Sequence, residues 1–276
     1  MKAKRMIRIV AILLAFYILI LVFQDKIIFF PHPWPESFVL PEKLDNCRLQ
    51  AVELTTSDGV KLDAVYAESF STTEDERKVV LFSHGNAGNL IGRLDKADKI
   101  CKIGFDVFIY DYRGFGRSQG SPNVKGAIID GITALNYLTE TKKIKKENIV
   151  IYGESLGTGI AAELIKGNES AFAGLVLESG FASLSAQASR KFPGIGKLIL
   201  KRDLPTIDII KNYSGKLLII HSKADKIIPY TDSEKVLAAC PSESKTILTF
   251  EGARHNDPVW YKPEYIQAWQ NFRKSL

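Results

Sequence analysis

The stretch "IVIYGESLGTGIAAELI", Ile149 to Ile165, limits what this chain can fold into more than any other. β-branched and aromatic residues crowd its first part and helix formers its last, so a strand must pass into a helix across a very short turn. Gly153, Gly157 and Gly159 stand within seven residues, and the first two flank Ser155 at equal distance. On so tight a turn the positions two before and two after the apex come too close to neighbouring backbone to carry side chains. Gly153 and Gly157 therefore read as the glycines of a G-x-S-x-G elbow that holds Ser155 in a strained conformation. The alternative is an ordinary glycine-rich turn with a solvent-facing serine.

The rest of the chain repeats the same alternation. "KVVLFSH" (78–84), "FDVFIYDY" (105–112), "AGLVLES" (173–179), "KLLIIHS" (216–222) and "KTILTFE" (245–251) are short apolar runs, with helical patterns between them at 90–103, 123–141 and 231–240, and a closing one at 263–276. Such strands joined by helices require crossover connections and a mostly parallel central sheet flanked by helices. "RLQAVELTT" and "KLDAVYAES", separated by Ser57, Asp58 and Gly59, add an antiparallel hairpin in front, for about eight strands in all. The rhythm breaks once, over about 180–214, and an insertion of that size beside the carboxyl edge of the sheet makes a small cap. Thr231 or Asp232 is expected to cap the helix at 231–240.

In an open α/β sheet, ligands meet the protein beyond the carboxyl ends of the strands, which is where Ser155 falls. A serine hydroxyl is a weak nucleophile at neutral pH and needs a base, which in turn needs an orienting carboxylate. Of four histidines, His32 and His84 precede the serine and His221 ends a strand as a packed imidazole. His255, in "EGARHND" between the last strand and the final helix, is the base by position. Asp225, in the loop of "HSKADKIIP", is the orienting acid, with Glu178 at the end of the preceding strand as its rival and a structural role open to it. Oxyanion donors are expected from the backbone N–H of Leu156, at the amino end of the helix, and of Asn86 in "HGNAGN".

Arg113 and Arg117 in "DYRGFGRSQGSP" read as loop braces, with an anionic substrate group as the alternative partner. The segment "RKFPGIGKLILKRD" sets cations among Phe192, Leu198, Ile199 and Leu200, the pattern of an amphipathic cover that could instead dock on lipid or admit acyl chains.

The N-terminus points to a membrane. After "MKAKRMIR" comes an unbroken apolar run, Ile9 to Phe23, roughly 23 Å long as a helix. It reaches about 18 positions if Met6 and Ile7 join it and Arg8 snorkels. No small-residue cleavage pattern follows, so the reading is an uncleaved anchor over 1–25 and a catalytic domain over 26–276, with a cleaved signal peptide or a surface helix as rivals. The basic residues before the run leave the N-terminus cytoplasmic and the catalytic domain on the other side, the periplasm in a bacterium. Phe29, Phe30 and Trp34 are then expected at the far interface.

Lys2, Lys4, Arg5 and Arg8 also supply four of the six excess positive charges, so the remainder carries no nucleic-acid footprint. Cys47, Cys101 and Cys240 form neither a CxxC pair nor a cluster of metal-ligand spacing, and no metal or organic cofactor is called for.

Taken in order, "HGNAGN", "DYRGFGRSQGSP", "GESLGTG", "HSKAD" and "GARHND" resemble the α/β-hydrolase superfamily, and more narrowly the Bem46-like serine hydrolases, from about residue 25 to the end. The resemblance implies Ser155 as nucleophile, Asp225 as acid, His255 as base, and oxyanion donors at Asn86 and Leu156. Relatives include membrane-associated enzymes, some of them acting on S-acylated proteins, and a cysteine-rich leader carries such relatives to membranes by lipidation. That leader is absent, and a transmembrane-like run stands in its place. The expected activity is hydrolysis of acyl esters or thioesters on lipid-like substrates. A peptidase or amidase could use the same groups, and a non-catalytic binding scaffold would be marked by a missing triad residue, of which there is none.

Overall fold

The computed structural model describes residues 2–73 and 76–276; the side chains of Lys2, Ala3 and Val10 lie outside the described ones. Helix α1 (Lys2–Ile28) leads into a two-residue strand, β1 (Phe30–Pro31), and the hairpin β2 (Cys47–Thr55) and β3 (Lys61–Ser69). Next come β4 (Val79–Ser83), the short β5 (Ala87–Gly88), α2 (Leu94–Lys102), β6 (Asp106–Tyr110) and α3 (Val124–Asn136). The elbow joins β7 (Ile149–Glu154) to α4 (Leu156–Ile165), and β8 (Gly174–Glu178) follows. Two helices, α5 (Leu184–Lys191) and α6 (Thr206–Ile210), fill the excursion before β9 (Leu217–Ser222). The chain closes with α7 (Tyr230–Ala239), β10 (Lys245–Phe250) and α8 (Pro263–Ser275).

Eight strands form one sheet in the order β10-β9-β8-β7-β4-β6-β3-β2, parallel except for the β2–β3 and β3–β6 pairs. This is the α/β-hydrolase fold. Every residue of β4, β6, β8 and β9 is buried, because helices cover both faces and leave no polar side for the strands to show. Edge strand β2 has the mixed exposure of a strand with one wet face. After β4 the chain crosses to β6 on one side, and β7 lies on the other, with Ser83 beside Gly153 in register. The turns leaving β4 and β7 thus meet at a topological switch point in the middle of the sheet, where a crevice opens.

The segment after α1 departs from expectation. Phe29 and Trp34 are buried in the hydrolase core, Phe29 edge-on to Phe115 and Trp34 donating from Nε1 to Asp111 Oδ2 at 2.9 Å. Phe30 alone of the three is exposed. The cause is topological: β1 pairs with β5, Phe30 N–H donating to the Asn86 carbonyl at 2.8 Å, so the chain turns inward over the crevice as soon as α1 ends. The cap of α7 also differs, since Pro229 occupies that position. Asp232 is instead buried and accepts from Ala182 N–H and from Arg190, tying α5 to α7.

Candidate active site

Ser155 sits between β7 and α4 with φ +54° and ψ −115°, a left-handed conformation that costs a non-glycine residue about 1–3 kcal/mol. Its N–H donates to the Glu178 carbonyl at 2.8 Å, which holds the turn to the neighbouring strand. A Cβ on Gly157 would overlap the carbonyl oxygen of Ser83, and one on Gly153 the carbonyl of Gly157, so close backbone approach is what demands both glycines.

From Ser155 a chain of hydrogen bonds runs inward. Ser155 Oγ lies 3.1 Å from His255 Nε2, and His255 Nδ1 lies 2.6 Å from Asp225 Oδ2. Facing a carboxylate, Nδ1 carries the ring proton, which leaves the Nε2 lone pair toward the hydroxyl. The other Asp225 oxygen accepts the N–H groups of Ile227 and Ile228 at 2.8 and 3.0 Å. Burial pushes the Asp225 carboxyl up, but hydrogen bonds from His221 and His255 outweigh it and hold the group well below the usual carboxylate range. Such an array can take the proton of the hydroxyl as its oxygen attacks a carbonyl carbon, and return it to a leaving group.

His221 is the member that sequence reasoning left out. Its Nε2 lies 3.1 Å from both Asp225 Oδ2 and the Ile228 carbonyl, and its Nδ1 lies 2.6 Å from Ser233 Oγ. Two acceptors around Nε2 assign that nitrogen a proton. The buried imidazole thus steadies Asp225 from behind. No spacing in the sequence signals this beyond the four residues that separate the two.

Asn86 and Leu156 line the same cavity as Ser155 and His255. The Asn86 peptide is fixed by its carbonyl, which accepts from Phe30, and by its side-chain Nδ2, which donates to the Ile28 carbonyl at 2.6 Å. No described residue accepts its N–H. The N–H of Leu156 heads α4, where no intrahelical carbonyl reaches it and the helix dipole favours negative charge.

The remaining expected residues stand outside that cavity. Arg113 is spent on Asp130 and Asp58, with contacts of 2.8 Å to each, and Arg117 stacks over Trp34 and donates to the Phe38 carbonyl. Both therefore brace loops, and neither guanidinium lines the Ser155 cavity. Glu178 is bound instead by Lys96 Nζ at 2.7 Å and by the hydroxyls of Tyr152 and Tyr265, while the His255 ring bonds to Asp225. It cannot serve as the orienting acid in this arrangement.

Lys96, 2% exposed, also meets Glu154 at 2.6 Å, so a buried ionic group sits directly behind the elbow. Burial pushes the Glu154 carboxyl up, but Lys96 and Arg93 beside it bring it down to about 2. In the sequence Lys96 looks like one more charge on a polar helix; only Ile100, one turn on, marks its side as the apolar one. Replacing Lys96 by Met leaves Glu178 without its cation and Glu154 with Arg93 alone, and is expected to lower stability by about 3–5 kcal/mol at pH 7, measured by denaturant unfolding. Because the folded pKa of Glu154 lies below its ordinary value, this stabilisation is present above about pH 4.3 and is lost as pH falls toward 2. The gap between wild type and variant should narrow over that window.

The cavity at Ser155 has a volume of about 390 Å³ and mostly apolar walls, with Phe181, Leu184, Phe192 and Ile199 from the excursion between β8 and β9 facing Ile20 and Ile27 of α1. His255 and Asn256 separate it from a polar cavity of about 310 Å³ that holds Arg93, Lys96 and Glu154. A larger groove, about 1170 Å³, runs between α1 and α3 but does not reach Ser155.

Residues 74–217 match the Hydrolase_4 family model, described as serine aminopeptidase, S33. Protein bem46 of Schizosaccharomyces pombe is 33% identical over 234 residues, which span 83% of this chain and 77% of that one. The α/β hydrolase domain-containing protein WAV2 of Arabidopsis thaliana is 28% identical, over 87% and 83% of the two chains. The esterase Pf2001 of Pyrococcus furiosus superposes with a TM-score of 0.72 at 18% identity, covering 90% of this chain and 98% of its own, a likeness of fold.

Proposed function

This chain belongs to the α/β-hydrolase family described as serine aminopeptidase, S33, and from that premise we propose that it is a serine hydrolase of carboxylic esters or thioesters. It is a hydrolase by family; the substrate bond and the roles of the residues are our reading. Ser155 Oγ attacks the acyl carbon while His255 Nε2 takes its proton, and Asp225 steadies the imidazolium. The N–H groups of Asn86 and Leu156 stabilise the oxyanion. Collapse of the tetrahedral adduct breaks the bond to the alcohol or thiol, which leaves with the proton from His255. Water, activated by the same imidazole, then releases the acid from the acyl-enzyme.

The observation that carries this reading is the unbroken series from Ser155 Oγ through His255 to Asp225, at 3.1 and 2.6 Å, opening on a mostly apolar cavity. The family description also raises an aminopeptidase. That activity must hold a substrate ammonium, and among the described residues the walls of the Ser155 cavity carry no carboxylate. Glu154 and Glu178 of the neighbouring cavity are already held by Lys96.

Purified protein is expected to react with a fluorophosphonate probe and to hydrolyse p-nitrophenyl esters while leaving aminoacyl p-nitroanilides intact. Cleavage of the anilides with no turnover of any ester would replace this proposal with the peptidase one. Helix α1 is long and apolar enough to cross a membrane by length and composition, which supports a single-pass anchor with the catalytic domain on the non-cytoplasmic side.

A further inference from the structure

Ile20, Gln24, Ile27 and Ile28 fall on one face of α1 and form a wall of the cavity that holds Ser155. The same helix is apolar nearer its start as well, where Ile9, Ile12, Leu13, Phe16 and Leu19 are all exposed. One helix thus runs without a break from a surface that suits hydrocarbon into the lining of the site.

The excursion between β8 and β9 is fastened to it. Tyr17 Oη donates to the Leu198 carbonyl at 3.1 Å, Lys201 N–H donates to Gln24 Oε1 at 3.0 Å, and Lys201 Nζ lies 3.5 Å from Asp25. Tyr17 precedes Gln24 by seven residues, roughly 10 Å of helix rise, and lies within the apolar run Ile9–Phe23. A bilayer that covers this run therefore also surrounds Leu198, whose side chain is 65% exposed, and its neighbour Ile195. Lys26, Lys201 and Arg202, with Lys125, line the groove on the other side of α1 just beyond the end of the run, at the level of lipid headgroups.

We propose that the cavity opens into the leaflet on the catalytic domain's side, between α1 and residues 192–200, and that it admits the acyl chain of a lipid ester directly from that leaflet. The acyl chain lies against Ile20 and Ile27 with its carbonyl at Ser155. Entry through this gap spares each methylene exposure to water, which a substrate arriving from solution cannot avoid. The inference rests on the serine-hydrolase reading for the position of the carbonyl but not for the binding of the chain.

The test uses the full chain in phosphatidylcholine vesicles. In the Ser155→Ala protein, a hexadecanoyl ester bearing a photoreactive diazirine on the chain should crosslink within residues 20–28 and 192–200; crosslinks on the hydrolase domain without any on α1 overturn the inference. In the wild type, p-nitrophenyl hexadecanoate placed in the protein's own vesicles should turn over at least tenfold faster than the same ester in separate vesicles, and equal rates overturn lateral entry. Ile20→Trp should lower the ratio of kcat/KM for hexadecanoyl over butanoyl esters about tenfold, whereas Leu13→Trp, away from the cavity, leaves the ratio in place. A ratio unmoved by Ile20→Trp counts against the wall. Should the wild type fail to label with fluorophosphonate, the serine-hydrolase reading falls, while crosslinks on α1 would still report a lipid site.

Discussion

Ser155→Ala is expected to lower ester turnover by about 10⁴-fold or more and to abolish fluorophosphonate labelling, with the fold intact. The size of the loss follows from the proposed mechanism: without Oγ no acyl-enzyme would form, and what remains would be water attacking a carbonyl held by the N–H groups of Asn86 and Leu156. His255→Ala should cost a similar factor, and the double variant little more, because the proposed mechanism has the two groups act as one unit. The fold should survive because Ser155 Oγ makes its hydrogen bond to His255 within the wall of the cavity, while the turn is held by the Ser155 N–H and by Thr158. An unchanged melting temperature together with lost turnover is the expected pair. Turnover within tenfold of wild type would refute the assignment of Ser155.

Gly157→Ala is the second large effect, and it acts on the backbone rather than on the chemistry. The added methyl would overlap the carbonyl oxygen of Ser83, at the end of a strand buried along its whole length. Neither side can yield: Ser83 is in register beside Gly153, and Gly157 is in the first turn of α4. We expect a destabilisation above about 4 kcal/mol, or a chain that does not reach the soluble or membrane fraction folded. By contrast, Gly59→Ala, at a turn with open space around it, pays only for its φ of +84° and should cost about 1–2 kcal/mol. Equal losses at the two positions, measured by denaturant unfolding, would rule out the close approach at the elbow as the cause.

Much of the architecture was legible because its signals are local. Apolar runs of strand length, helical periodicity and the glycines of the elbow each act through the φ/ψ preferences and burial of neighbouring residues, and their order along the chain admits few topologies. That order also put Ser155, Asp225 and His255 in loops at one edge of the sheet, and the structure brings them within hydrogen-bond distance although Ser155 and His255 are 100 residues apart. Pairings made across the sheet left no such trace. Lys96 joins Glu154 and Glu178 over separations of 58 and 82 residues, and a charge in a charged helix carries no sign of the partner that lets it be buried. The inward turn of Phe29 and Trp34, the bond from His221 to Asp225 and the place of α1 in the cavity wall were likewise decided in three dimensions. The sequence by itself determined which segments become strands and helices, because those choices are made among adjacent residues. Which side chains meet at the crevice was decided by tertiary structure, since contact energy depends on distances that only the closed sheet and its packed helices define.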